Sequence, residues 1–155
     1  MTNFYQQLYD THQKLQHAKP LVLNLTNYVT QDFMANVLLA LGCAPIMSES
    51  VEEFAELTTL AHSLNLNIGT LNAEFAHRAA DAGKLMQQQN KCVVLDPVGA
   101  GATHSRTKLA QELLPLANIV RGNASEIMAL NSSSFSSYGV ESSVESLSAM
   151  LSAQN

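Results

Sequence analysis

Cys92-Val-Val-Leu-Asp-Pro-Val-Gly-Ala-Gly-Ala-Thr103 is the stretch whose reading decides the fold. Cys92 to Leu95 is apolar and too short for a helix, and the β-branched pair Val93 and Val94 suits a strand covered on both faces. Pro97 cannot donate to a continuing ladder, so the strand is expected to stop at Asp96 and leave that carboxylate at its carboxyl end. In open α/β sheets ligands bind at that edge, where loops run into helix N-termini with free N–H groups. Gly99 and Gly101 let the backbone approach a ligand with no Cβ in the way. Taken alone, the stretch admits two readings: a phosphate-sized loop, or a strand-to-helix turn that Asp96 merely holds together. The G-x-G-x-x-G pattern fails because His104 stands where the third glycine would be, and G-x-x-x-x-G-K-[ST] is absent. A dinucleotide fold and a P-loop are therefore both disfavoured.

Working outward, the strand–loop–helix rhythm recurs. Phe4, Leu8 and Leu15 share a helical face, predicting an N-terminal helix laid on the core that ends near Lys19, before Pro20. Leu21 to Leu25 reads as a buried strand. Thr30 can cap the next helix, which carries Phe33, Val37, Leu38 and Leu41 with Asp32 in its first turn and Gly42 closing it. Cys43 to Met47 is a second strand, followed by Ser50-Val51-Glu52-Glu53 as a capping box that turns Val51, Phe54 and Leu57 inward. Leu64, Leu66 and Ile68 alternate with Asn65 and Asn67 as a third strand, which ends at Gly69-Thr70-Leu71-Asn72 before an alanine-rich helix to about Gln89. After the fourth strand comes a helix from about Ser105 to Leu114, stopped at Pro115. A fifth strand, Asn118 to Arg121, leads to a short helix through Leu130.

Strands joined by helical crossovers must pair in parallel, which predicts a three-layer α/β/α class with a mainly parallel sheet. The composition changes after Leu130, with ten serines between Ser132 and Ser152. Val144, Leu147 and Leu151 still mark one helical face, so 132–155 is expected to be a serine-rich connection and a terminal helix appended to the β-α units of 1–131.

At 155 residues and 46% hydrophobic content the chain is long enough for one domain with a real core. Only 14% of residues are charged, against about a quarter in ordinary domains, which predicts weakly polar surface meant for another subunit. A net charge of −5 with eight Lys and Arg offers no basic stripe, arguing against nucleic acid and against anionic membrane surfaces as partners. Cys43 and Cys92 form no C-x-x-C pair, and the first fifteen or so residues lack the apolar core of a secretory leader, so a reducing, cytoplasmic setting is expected. No apolar run approaches the roughly 18 residues a membrane helix needs. Histidines 12, 17, 62, 77 and 104 show no zinc spacing.

If the sheet is parallel, the strand-end loops converge on one edge. Asp96, Glu126 and Arg121 then come together from the last two, a set that suits Mg²⁺ held through carboxylates and phosphates beside an arginine on a polyphosphate, and so phosphoryl transfer. For Glu126 the tetrapeptide Asn123-x-x-Glu126 offers a second reading as a helix-capping box. Arg121 also reads as a surface residue at a strand end, and Met47 as an ordinary core sulfur.

Five segments in order carry a specific resemblance: Leu25-Thr26-Asn27-Tyr28-Val29; Ala35 to Met47; Asn67-Ile68-Gly69-Thr70-Leu71; Leu95 to Thr103; and Arg121-Gly122-Asn123-Ala124-Ser125-Glu126-Ile127. From about residue 20 to 131 the sequence resembles hydroxyethylthiazole kinase of the thiamine salvage pathway. The resemblance implies a ribokinase-like fold and transfer of the ATP γ-phosphate, with Mg²⁺, to the hydroxyl of 4-methyl-5-(2-hydroxyethyl)thiazole, in a homotrimer with thiazole pockets between subunits. It further implies that Asn27 and Met47, with Gly69 and Thr70 beside them, bind the thiazole, that Arg121 and Asn123 contact ATP phosphates, and that Asp96 and Glu126 organise the metal. Leu23 stands where family members often have histidine. The family also carries a Gly-Thr-Gly-Cys type loop that serves the transferred phosphoryl group and the attacking hydroxyl. No such segment occurs in 1–155, so the chain is expected to be an incomplete kinase domain, with its catalytic residues elsewhere and little turnover alone. Two other readings remain: a non-catalytic thiazole- or nucleotide-binding remnant, and a generic nucleotide-binding α/β domain.

Overall fold

The structure is a computed structural model and describes residues 3–131. The serine-rich connection and terminal helix expected over 132–155 lie outside the described residues. Five strands are present: β1 (Leu21–Leu25), β2 (Ala44–Met47), β3 (Ser63–Asn67), β4 (Cys92–Asp96) and β5 (Ile119–Val120). They alternate with helices α1 (Phe4–Ala18), α2 (Gln31–Ala40), α3 (Phe54–Leu60), α4 (Ala73–Gln88), α5 (His104–Leu113) and α6 (Ala124–Asn131). Every pairing is parallel, in the order β2-β1-β3-β4-β5. The chain reverses its direction of travel across the sheet after β2. The crevice between the loops following β1 and β3 is therefore the place where an open α/β sheet accepts a ligand.

Register explains the core. Leu23 pairs with Leu64, Leu25 with Leu66, Leu64 with Val93 and Leu66 with Leu95, so these side chains share one face. All are 3% exposed or less, under Phe54 and Leu57 of α3, Ala79, Ala82 and Met86 of α4, and Leu109 and Leu113 of α5. Leu23 thus belongs to the closed core and not to a ligand pocket. Right-handed crossovers put α2 on the opposite face, because β2 lies on the other side of β1 from β3. That face is less fully covered: Val22, Asn65 and Val94 are only half-buried, so Val94, unlike Val93, is not sealed.

Three expectations need correction. Helix α1 forms, capped by Asn3 and closed by Lys19 at φ 45°, but none of its residues is buried. Phe4 and Leu8 are 68% and 57% exposed, and Gln16 lies against Gly42 and reaches the Ala40 carbonyl at the end of α2. Local hydrogen bonds and capping suffice to wind it, and a helical stripe does not itself supply a partner. Thr30 makes no side-chain cap; its N–H is held by Asn27 Oδ1 at 3.0 Å instead. Ser50 likewise makes no side-chain cap, because Ser48 Oγ takes the Ser50 N–H and bonds Glu53. Val51 consequently starts a single 3₁₀ turn and is exposed, whereas Phe54 and Leu57 point inward as expected.

Candidate active site

The loops after the strands gather the expected residues on one edge and divide them into two groups. Around the loops after β1, β2 and β3 lies a cleft of about 120 Å³ lined by Met47 and Thr70, with Thr26, Tyr28, Glu49 and Arg78. Tyr28 donates its hydroxyl to Glu49 at 2.7 Å, and this bond, with the carboxylate's charge, raises the tyrosine pKa. Arg78 reaches from α4 with a side chain only 11% exposed, 3.9 Å from Glu49 and 3.8 Å from Glu74. Thr26 Oγ1 is buried in the wall without a hydrogen-bond partner among the described residues.

Asn27 and Gly69 stand behind this cleft and do not line it. The Asn27 amide spans two elements: its Oδ1 holds the Thr30 N–H, and its Nδ2 donates to Asn67 Oδ1 at 2.8 Å. Gly69 donates its N–H to the same oxygen at 2.9 Å, and a Cβ there would lie 2.9 Å from it. The glycine is required for that close approach.

The second group surrounds the end of β4. Asp96 Oδ2 accepts from Arg121 Nη1 at 2.7 Å and from Asn67 Nδ2 at 3.0 Å. Burial raises the Asp96 pKa above the ordinary carboxylate value; the Arg121 charge opposes that rise and Glu126 adds to it. Arg121 itself is 73% exposed, an arm tethered at its tip to Asp96. Glu126, 5% exposed, accepts from Gly99 N–H through Oε1 and from Asn123 N–H through Oε2, both at 2.9 Å. Asn123 Oδ1 in turn accepts from Glu126 N–H at 3.0 Å, so the reciprocal capping box exists. Its carboxylate also anchors the glycine loop, in which Gly99 and Gly101 adopt φ 76° and 89°.

Two residues join the groups and were not singled out from the sequence. Asn67 links Asn27 to Asp96, and Arg106 on α5 donates to carbonyls of the loops after both β3 and β4. Each had a signal. A buried asparagine at the end of a central strand needs a hydrogen-bond partner, and arginine in the first turn of a helix sits against the helix dipole.

Among the described residues no group of three or more His, Cys, Asp or Glu is placed to hold a metal ion. A hard cation shared between one carboxylate, phosphates and water needs no such group. Asp96 is the donor that suits it, since both Glu126 oxygens already take backbone N–H groups.

The chain resembles known proteins in the same terms. It is 45% identical over 137 residues to the hydroxyethylthiazole kinase of Chlamydia caviae, covering 88% of this chain and 52% of that protein. It is 42% identical over 151 residues to that of Vibrio atlanticus, covering 96% and 58%. The solved structure of the Pyrococcus horikoshii hydroxyethylthiazole kinase superposes with a TM-score of 0.79 at 38% identity, over 81% of this chain and 50% of that one. The chain thus spans about half the length of the curated relatives it matches. The sequence model of the hydroxyethylthiazole kinase family matches residues 12–155, and with relatives this similar aligned over most of the chain, it belongs to that family.

Proposed function

We propose that the chain holds the substrate and nucleotide ends of an ATP-dependent kinase that phosphorylates the hydroxyl of 4-methyl-5-(2-hydroxyethyl)thiazole in thiamine salvage. The observation that carries this reading is the unbroken run of hydrogen bonds from Asn27 through Asn67 and Asp96 to Arg121, which connects the loops framing the cleft to a carboxylate and an exposed guanidinium. A cleft lined by Met47, Phe75, Tyr28 and polar side chains including Glu49 and Arg78 supports this reading for a small heterocyclic alcohol. Thr70 lines it, and Asn27 and Gly69 shape its back. Phosphoryl transfer needs mainly positioning and charge stabilisation. Arg121 would leave Asp96 for the polyphosphate, and Asn123 and Glu126 would hold the glycine loop beside it. Mg²⁺, when bound at Asp96 with Glu126 behind it, would supply neutralisation of the phosphate charge.

The Gly-Thr-Gly-Cys type loop that serves the transferred group is not among residues 1–155, so we assign binding to this chain and the transfer step to groups outside it. Losing one donor to a developing charge commonly costs about a hundredfold to a thousandfold in rate, and losing a whole loop costs more. The reading also places the chain in a trimer with the cleft at a subunit boundary and in the cytoplasm. Exposed Tyr28, Val29 and Phe33 beside the cleft support the former. The test is thermal shift with the thiazole alcohol, MgATP and NAD in parallel: the first two should raise Tm and NAD should not. A response to NAD alone would favour a generic nucleotide-binding domain. Phosphorylation at an ordinary enzyme rate by purified 155-residue chain, made in a host lacking its own kinase, would overturn the division between binding and transfer.

A further inference from the structure

We propose that Arg106 is a positioning residue that sets the separation between the loop after β3 and the glycine loop after β4, so that the thiazole side and the phosphate side of the site move as one body. This rests on the kinase reading above. Arg106 Nη1 donates to Val98 O at 2.9 Å and to Ile68 O at 3.2 Å, and Nη2 donates to Gly69 O at 2.9 Å. One planar fork thus binds carbonyls from two loops that belong to different strands, which a single ammonium on a flexible stem cannot match.

Two features show that the chain accommodates this side chain at a cost. Arg106 lies in the first turn of α5, where a cation opposes the helix dipole. Gly99 is at φ 76°, and a Cβ there would come within 2.9 Å of Arg106 Cδ, so the glycine loop is shaped to let the arginine cross it. A role confined to anchoring α5 would need only the Val98 carbonyl, which belongs to the loop preceding that helix. The Ile68 and Gly69 carbonyls lie beyond it, at the loop that carries Thr70. Asn67 ties the same two loops from the strand ends, through Gly69 N–H and Asp96. Arg106 closes the other side.

The experiment is amide hydrogen exchange, read residue by residue by NMR, on the 155-residue chain and its Arg106→Ala and Arg106→Lys variants. In Arg106→Ala the amides of Gly69 on one loop and of Gly99 and Ala100 on the other should all exchange about tenfold faster, the factor for a lost hydrogen bond of about 1.4 kcal/mol. Amides of β1 and of Thr107 should be unchanged. Millimolar methylguanidinium, but not the same concentration of NaCl, should restore protection in both loops. Arg106→Lys keeps the charge and stem and is the variant that must fold; it should protect one loop and release the other. Loosening confined to the first turn of α5, or spread evenly over all amides, would overturn the proposal, as would an Arg106→Lys chain with both loops as protected as the wild type. A second arm reads the consequence: the Tm rise from the thiazole alcohol should grow when MgATP is present in the wild type, and the two rises should become independent in Arg106→Lys. A wild-type chain that answers to neither ligand overturns the kinase reading, while the exchange pattern still decides the bridge.

Discussion

Asp96 ends β4 with its side chain 14% exposed, and burial holds its pKa above the ordinary value. In the pH window between those two pKa values the folded state binds more protons than the unfolded chain, so stability falls as pH rises through it. At neutral pH the ionised Asp96 therefore lowers stability, and its ion pair with an exposed Arg121 recovers little. Asp96→Asn should melt above the wild type at pH 7, with the gap closing as the pH approaches 4; melts across that range check it, and a pH-independent gap would refute it. Glu126 is a buried carboxylate whose two oxygens serve two backbone donors. Glu126→Gln turns an N–H₂ toward one of those donors and should cost about 1–3 kcal/mol in urea denaturation. If a second chain covering the rest of the relatives' length gives kinase activity together with this one, a role in organising phosphate predicts a sharp loss of that activity in Glu126→Gln, whereas a purely capping role predicts the stability loss alone.

At the scale of elements, the helices separate into those held by the core and those held by their own ends. Helix α1 is of the second kind, so Phe4→Ala and Leu8→Ala should each change unfolding free energy by less than about 0.5 kcal/mol in this chain. Helix α2 ends in a Schellman motif, with Cys43 N–H on Leu38 O at 2.8 Å and Gly42 N–H on Leu39 O at 3.0 Å. Gly42 takes φ 87°, and a Cβ there would meet Gln16 at 2.8–2.9 Å. Gly42→Ala should therefore cost about 1 kcal/mol or more, measured by the shift in urea midpoint at unchanged slope. The pairing of these two predictions is informative, because Gly42 lies against Gln16 of α1.

For the molecule as a whole, one face of the sheet is sealed by α3, α4 and α5, and the other is less fully covered. Val29 and Phe33 are 90% and 69% exposed, and only 14% of the chain is charged. Large exposed apolar groups on a charge-poor surface beside a cleft favour self-association. Light scattering behind size exclusion should report a mass above that of one chain, which Val29→Asp with Phe33→Asp should lower; a monomer with a sharp cooperative melt would count against both the trimer and the incomplete domain. Among the described residues no helix is long and apolar enough to cross a membrane.

The order and type of the elements were legible in the sequence because each has a local cause. Pro97 stops β4, Leu64 and Leu66 alternating with asparagines make β3, which ends at Asn67 just short of the expected Ile68, Gly42 closes α2, and Asn123 with Glu126 opens α6. Parallel pairing followed from the crossovers alone. The convergence of Asp96, Arg121 and Glu126 on one edge followed from that pairing. Tertiary structure alone decided who bonds to whom. Asn27 proved to support a wall and not to line the cleft, because its amide is taken by Thr30 and by Asn67, which lies forty positions away. Glu126 is at once a cap and an anchor, because Gly99 happens to face it across the sheet edge. Arg106 had no sequence partner to betray it, since its acceptors are backbone carbonyls, which every residue carries and only the fold brings within reach of one guanidinium.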